Sequence, residues 1–392
     1  MPSDVLTAWK RHWQEGLRGL EARSRRRHLA EIAGVNFCSN DYLGLATNAQ
    51  LRGKLLENIR NARRIGGTGS RLLSGQTEEW RELEEEFAVF AGTEAALFFT
   101  SGYSANIGLF SSIVGKDDVI FSDELNHASL IDGMRLSGAR KVIYKHMDLD
   151  ALEQALRQES GAPWRKIVVT ESIFSMDGDV APLRELADLA DKYDAGLIVD
   201  EAHATATHGP KGRGKVVEAG LASRMLAIVH TCGKALASAG AFVCGPALLK
   251  EHLINTARSF IFSTALPPYM ALQIRSALQL AETMDTERDN LQTRAASLCN
   301  ALAKEGFQVA GSRSQIIPVV LGSNEATMDA AEHLQREDFA IRGIRPPTVP
   351  EGSSRLRISL TAEIPQVEIS RLLHALVKWR SHQSAAMVAQ RT

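Results

Sequence analysis

Lys234 closes the apolar run Leu226-Ala-Ile-Val-His-Thr-Cys-Gly-Lys, and an earlier run, Gly196-Leu-Ile-Val, closes on Asp200-Glu-Ala-His203. An aspartate and a lysine, each released at the end of a buried strand, are the pair needed to hold pyridoxal 5'-phosphate (PLP). The lysine amine closes a Schiff base on the aldehyde, and the carboxylate keeps the ring nitrogen protonated, so the ring can accept electrons from a carbanion. In open α/β sheets ligands bind outside the carboxyl ends of the strands, which is where both residues fall. Asp-Glu-Ala-His is also the tetrapeptide of a helicase box, where it would hold Mg²⁺ beside a nucleotide. That reading requires a Gly-Lys-Ser/Thr phosphate loop. The Gly-Lys pairs at Gly53, Gly115, Gly214 and Gly233 are followed by Leu, Asp, Val and Ala, so the requirement is not met.

Two glycine-bearing segments add to the pattern. Gly66-Gly-Thr-Gly-Ser-Arg-Leu-Leu-Ser-Gly75 lacks the strand–loop–helix context of a nucleotide fingerprint and reads either as a loop that lets backbone approach a ligand or as a plain turn. Ser101-Gly102-Tyr103 precedes a helical pattern, so the N–H groups of Gly102 and Tyr103 could cradle a phosphate at a helix N-terminus.

These residues need a scaffold. The strand-like runs Val119-Ile-Phe-Ser, Lys141-Val-Ile-Tyr, Lys166-Ile-Val-Val-Thr-Glu171, Gly196-Leu-Ile-Val-Asp and Ala227-Ile-Val-His are separated by helical stretches at 150–157 and 182–193. Near-continuous Val/Ile runs alternating with helices predict an α/β fold with a largely parallel sheet covered on both faces. A long helical region at roughly 267–305 leads to a second α/β segment, with strands at Ile316-Ile-Pro-Val-Val-Leu and Leu356-Arg-Ile-Ser-Leu and helices at about 326–337 and 366–380. Residues 1–30 read as an amphipathic helix carrying Val5, Leu6, Trp9, Trp13, Leu17 and Leu20 on one stripe, which needs the body or a second subunit to cover it.

Composition bounds the rest. At 392 residues the chain has room for a large core and more than one domain. Lys+Arg 45 against Asp+Glu 46 gives a net charge of -1, which offers nothing to a nucleic-acid partner. The one local basic cluster, Arg23-Ser-Arg25-Arg26-Arg27-His28, is either a solvated helix face or a clamp for an anionic substrate. The four cysteines lack metal-ligand spacing, and no metal is expected; Cys232 and Cys244 suit buried free thiols. Asp4 and Glu15 sit early among charged residues, against a signal or transit peptide, and no apolar stretch approaches the roughly 20 residues of a membrane span. A cytoplasmic protein is the expectation.

The motifs Ser39-Asn-Asp-Tyr-Leu-Gly44, Gly67-Thr-Gly-Ser-Arg-Leu-Leu-Ser-Gly75, Asn126-His-Ala-Ser-Leu130, Phe174-Ser-Met-Asp-Gly-Asp179, Asp200-Glu-Ala-His203, Thr231-Cys-Gly-Lys234, Ser263-Thr-Ala-Leu-Pro-Pro268 and Arg345-Pro-Pro-Thr-Val-Pro350 with Arg355-Leu-Arg357 occur in one order. Together they resemble the α-oxoamine synthases, a fold-type I PLP family that condenses an amino acid with an acyl thioester. The resemblance spans residues 5–380. It implies an aspartate-aminotransferase-like α/β fold, with an N-terminal helical arm at 1–45, a large PLP-binding domain at 46–285 and a small C-terminal domain at 286–392. The loop Gln76-Thr-Glu-Glu-Trp80 and Ala237 depart from the family pattern without removing a cofactor contact.

Carried onto this sequence, the resemblance implies the following roles. Lys234 would carry PLP, Asp200 would pair with its ring nitrogen, and His127 would stack on the ring. His203 and Ser175 would bond the phenolic oxygen. Thr231 and the Gly102 and Tyr103 amides would hold the phosphate, with Thr264 reaching across from the partner subunit of a homodimer with shared active sites. Arg357 would grip the amino-acid carboxylate, a bidentate task suited to guanidinium. Asn40, Thr348, Arg25 and Ser70 are further candidates for substrate contact.

The Arg345–Ala362 segment points within the family to its biotin-pathway branch, whose substrates are L-alanine and pimeloyl-CoA or a pimeloyl-acyl-carrier protein. Glycine-using sisters such as 2-amino-3-oxobutyrate CoA ligase or 5-aminolevulinate synthase are the alternative. Ser70 leaves room beside Cα for alanine's methyl group. A plain aminotransferase of the same fold would make the thioester-linked motifs coincidental. A non-catalytic partner subunit would lack Lys234.

Overall fold

The computed structural model describes residues 3–309 and 311–389, which divide into two compact units. The larger comprises 40–175 and 179–291, the smaller 1–39, 176–178 and 292–392.

In the larger unit, Ala95–Phe99 (β1), Val119–Asp123 (β2), Arg140–Tyr144 (β3), Lys166–Glu171 (β4), Ala195–Asp200 (β5), Met225–Thr231 (β6) and Ala241–Gly245 (β7) form one sheet. Their order is β1-β7-β6-β5-β4-β2-β3. The neighbours from β6 through β3 pair in parallel, while β7 runs antiparallel to both β1 and β6. The runs of β2 and β4 are buried along their whole length, as a sheet covered on both faces requires, whereas β3, at the end of the strand order, leaves Lys141 and Ile143 exposed. Helices Gly102–Ile113 (α1) and Ala128–Ser137 (α2) supply Leu109, Phe110, Leu130 and Met134 to a core shared with Ile120, Ile167, Ile198 and Val229. Because β4, β5 and β6 are adjacent and parallel, Glu171, Asp200 and Thr231 all emerge at the same edge of the sheet.

The predicted strands are each present: Lys166–Glu171 keeps its bounds, Leu356–Leu360 shifts to Ser354–Ser359, and the others are extended by one to three residues. β7 had no sequence signal of its own: Ala241-Phe-Val-Cys-Gly is short, follows a Ser/Gly-rich stretch and takes its place only by pairing with β1 and β6. The helical region at 267–305 is two helices, Pro268–Glu282 and Asp285–Lys304.

In the smaller unit, Ile316–Gly322 (β8), Arg342–Ile344 (β9) and Ser354–Ser359 (β10) form an antiparallel sheet in the order β9-β10-β8, accompanied by helices Asn324–Arg336 and Gln366–Ala389. Val35–Asn36 adds a short parallel pairing with Phe339–Ala340. The N-terminal helix runs Ser3–Glu21 and stops well short of residue 30. Ser24 takes a left-handed φ of 53° and Arg25 N–H turns back to Leu20 O, so the backbone leaves the helix before the basic cluster. Val5, Leu6, Trp9, Trp13 and Leu17 of that helix are exposed. Among the described residues no helix is long and apolar enough to cross a membrane.

Candidate active site

Asp200 ends β5 and is 5% exposed. Its Oδ1 accepts the Ala202 N–H at 2.8 Å and its Oδ2 accepts from Asn106 Nδ2 at 2.9 Å. Asn106, inside α1, gives its second amide hydrogen to Ser129 Oγ, also at 2.9 Å. Ser129 Oγ lies 2.8 Å from His127 Nδ1, and the Ser129 backbone N–H reaches the same nitrogen at 3.2 Å. A hydrogen-bonded relay thus runs from Asp200 through Asn106 and Ser129 to His127. Its polarity has a consequence: the Ser129 N–H donates to Nδ1, so that nitrogen is an acceptor, the Ser129 hydroxyl donates to it as well, and His127 is a neutral imidazole carrying its proton on Nε2. The surroundings of His127 favour the same neutral form. Desolvation lowers its pKa and Lys234 lowers it further, against the opposing charge of Asp200, although the residue as a whole is exposed.

Glu171 ends β4 directly beside Asp200 in register. Burial and the neighbouring Asp200 charge push its pKa well above the ordinary carboxyl range, and its Oε1 has no hydrogen-bond partner. A like-charged pair sharing a buried site is relieved when one member keeps its proton, and here that member is Glu171. His127, Glu171, Asp200 and Lys234 all lie within electrostatic reach of one another.

Lys234 follows β6 by three residues and is half-buried, its Nζ 3.5 Å from Thr231 Oγ1. Thr231 is 7% exposed. Ser101 caps α1 through a reciprocal pair of bonds with Ser104, leaving Gly102 and Tyr103 as the first helical residues, whose N–H groups have no intrahelical acceptor. A Cβ at position 102 would come within 2.8 Å of Thr231 Cγ2, so only glycine lets the helix start this close to β6. His203 Nδ1 lies 2.6 Å from Tyr42 Oη, which donates to Asn40 Oδ1 at 3.0 Å. Ser175 is half-buried in the turn closed by the Ile173–Val180 bridge. Ser70 and Thr264 pair in an antiparallel bridge, reinforced by Ala265 N–H donating to Gly69 O at 2.9 Å.

The remaining candidates belong to the smaller unit. Arg357 lies within β10, is 8% exposed and donates to Ser359 Oγ at 2.7 Å, which fixes the orientation of its guanidinium. Arg25 is ion-paired with Glu351, and exposed Thr348 accepts from Arg27 at 3.4 Å. Arg25 and Arg27 of the basic cluster therefore engage the 345–351 segment, while Arg23 and Arg26 bond back to Gly19 O and Glu21; Arg345 itself donates to Ser24 O.

Residues 32–376 match the family model for class I and II aminotransferases. An 8-amino-7-oxononanoate synthase from Marinobacter nauticus is 42% identical over 91% of this chain and 90% of its own length. The chain belongs to the 8-amino-7-oxononanoate synthases, within the class I and II aminotransferase family. Among solved structures, an 8-amino-7-oxononanoate synthase from Francisella tularensis superposes with a TM-score of 0.76 at 29% identity, covering 90% of this chain and 99% of that one. A serine palmitoyltransferase from S. paucimobilis, solved with PLP bound to myriocin, superposes with a TM-score of 0.88 at 26% identity, covering 97% and 100%.

For a synthase of this family the larger unit carries a donor set that fits PLP. A buried carboxylate suits a pyridinium N–H, a bare helix N-terminus beside Thr231 suits a phosphate, and a flat neutral imidazole and a lysine amine complete the set. Sequence reasoning missed Asn106, Ser129, Tyr42 and Glu171. Tyr42 stood in view within Ser39-Asn-Asp-Tyr-Leu-Gly44, and Asn106 lies one helical turn beyond Gly102. Neither carried a signal of its partner.

Proposed function

We propose that this chain is a PLP-dependent acyltransferase that condenses L-alanine with a pimeloyl thioester, of CoA or of a carrier protein. The products are 8-amino-7-oxononanoate, CO₂ and the free thiol, and the setting is biotin biosynthesis. The observation that carries the reading is the meeting of Asp200, His127 and Lys234 at one sheet edge, in a chain 42% identical to a synthase of that name.

When bound, PLP supplies an electron sink for the carbanion formed at the α-carbon of alanine. Asp200 would keep the ring nitrogen protonated, and the Asn106 and Ala202 bonds hold its carboxylate in place for this. The Gly102 and Tyr103 amides, with Thr231, would hold the phosphate. His127 would lie on the ring face as a neutral imidazole, adding no positive charge against the pyridinium. Lys234 Nζ would take the α-proton of alanine and return one after CO₂ has left, acting as base and then acid at the same atom. Arg357 would grip the alanine carboxylate and so set which α-bond stands perpendicular to the ring. Asn40, Thr348, Arg25 and Ser70 are the further candidates for substrate contact. The enzyme would be a homodimer, with Thr264 of each subunit serving the other's phosphate site, and cytoplasmic.

The experiment is a matrix of alanine and glycine against pimeloyl, succinyl and acetyl thioesters, read by thiol release. Alanine with the pimeloyl thioester should give the highest kcat/KM, exceeding glycine by about 10- to 200-fold, the range one methyl-sized difference supports. Preference for glycine with a short acyl thioester would leave the family intact and overturn the substrate assignment.

A further inference from the structure

His146 follows β3 by two residues, and both of its ring nitrogens are engaged. Nδ1 lies 2.9 Å from Asp123 Oδ1 and Nε2 lies 2.7 Å from Asp179 Oδ2. Ionised carboxylates only accept hydrogen bonds, so both nitrogens must donate and the ring is an imidazolium. A neutral ring would turn a lone pair onto one of the two carboxylates.

The two ends of this bridge differ. Asp123, at the end of β2, is 2% exposed, and its carboxylate also receives the N–H groups of Leu125 and Met147 at 2.9 Å each. It is a fixed post. Asp179 has no such support: its Oδ1 is buried without a partner, so His146 is what satisfies this carboxylate. Asp179 closes a turn. Its carbonyl accepts the Phe174 N–H at 3.1 Å, and Ile173 bridges Val180. The Phe174 ring packs against His146 at 4.4 Å between centroids and 85° between planes. Inside that turn lies Ser175.

We propose that His146 is a positioning residue of the cofactor site: as a charged clamp between Asp123 and Asp179 it fixes the turn that presents the Ser175 hydroxyl to the phenolic oxygen of PLP. The proposal rests on the PLP reading above. The charged groups facing the ring are Asp123 on β2 and Asp179 on the turn, with Glu124 receiving the His146 backbone N–H at 3.0 Å. Desolvation opposes the charged form, but the hydrogen bonds and charges of Asp123 and Asp179 override it and raise the His146 pKa to about 10. A histidine whose folded pKa is raised holds its clamp in full below its ordinary value and loses it as pH rises through the raised one.

Two measurements test this. In protein without PLP, nitrogen-detected NMR follows the His146 ring, assigned by the loss of its signals in His146→Gln. At about pH 8, well above the ordinary histidine pKa, both nitrogens should be protonated, and the ring should titrate near pH 10. A neutral ring at that pH overturns the proposal.

With PLP loaded, His146→Gln and Ser175→Ala should each move the pH midpoint of the visible absorption band, by about half to one pH unit, the weight of one hydrogen bond. The double variant should move it no further than either single one. Additive shifts, or no shift in His146→Gln, overturn the positioning role. Should His146→Gln fail to fold, Asp179→Asn keeps the shape and removes one charge. It should lower the His146 pKa and move the same midpoint, and an unchanged His146 titration overturns the clamp. Wild-type protein that takes up no PLP overturns the cofactor reading and this proposal with it. PLP uptake alongside a neutral His146 overturns this proposal alone.

Discussion

Asn106 Nδ2 donates to Asp200 Oδ2 across 2.9 Å, joining the first helix after β1 to the end of β5 although the two residues are 94 positions apart. The carboxylate proposed to face the ring nitrogen is thereby held from behind by an amide. That amide is itself oriented by Ser129 and, through it, His127. In the proposed role, the strength of the electron sink would depend on this support as well as on Asp200.

Asp200→Asn should retain the fold and lose about 10²- to 10³-fold in kcat, the scale seen when one group that stabilises developing charge is removed. Asn106→Ala should lose about 10-fold, because it leaves a buried carboxylate oxygen without its donor, at a cost of about 1–3 kcal/mol. The double variant should be no worse than Asp200→Asn, since Asn106 acts through the carboxylate. Steady-state kinetics on the three variants decides it. Near-normal turnover in Asp200→Asn would mean that Asp200 does not serve the ring nitrogen.

Tyr42 gives its one hydroxyl proton to Asn40 Oδ1 at 3.0 Å and lies 2.6 Å from His203 Nδ1. With that proton on Asn40, Nδ1 of His203 must donate to Oη, which fixes where His203 carries a proton. Tyr42→Phe removes that constraint while keeping the buried ring in place. PLP affinity, measured by equilibrium dialysis, should fall about 5- to 10-fold, the weight of one net hydrogen bond. His203→Ala should weaken binding at least as much, and the double variant should match it. Unchanged PLP affinity in Tyr42→Phe would separate His203 from the cofactor.

Glu201 gives a pH-dependent stability. It is fully buried with Oε1 accepting the Lys215 and Val216 N–H groups and Oε2 unpartnered, and burial pushes its pKa from 4.5 to about 7. An acid whose folded pKa is raised binds its proton more tightly when folded. Its contribution is therefore complete below pH 4.5 and is lost as pH rises through about 7. Glu201→Gln keeps the shape and cannot ionise. In chemical denaturation it should match the wild type near the low end of that window and exceed it by about 2–3 kcal/mol above the high end. A difference that does not change with pH would show that Glu201 is not titrating in the fold.

The chain's local pattern carried a good deal of this. Val/Ile runs that end in Asp200 and Lys234 and alternate with helices announce buried strands that deliver polar residues at their carboxyl ends, since strand length and burial follow from local residue type. The helix-starting Ser101-Gly102 was visible for the same reason: capping is decided within four residues. The Ser3–Glu21 helix was seen but overrun, because its end is set by Ser24 adopting a left-handed backbone, which no periodicity of apolar residues announces.

What tertiary structure alone decided is who meets whom and in what charge state. The order β1-β7-β6-β5-β4-β2-β3 puts Glu171 beside Asp200, and that adjacency, with burial, is why Glu171 keeps its proton. His146 is an unremarkable histidine in sequence and a charged clamp in the fold, because Asp123 and Asp179 come from segments 23 and 33 residues away. Hydrogen-bond partners and desolvation are properties of three-dimensional neighbours. Residue type and spacing could name Lys234 and Asp200, and the family resemblance His127, while the supports Asn106, Ser129 and Tyr42 came into being only when the sheet assembled.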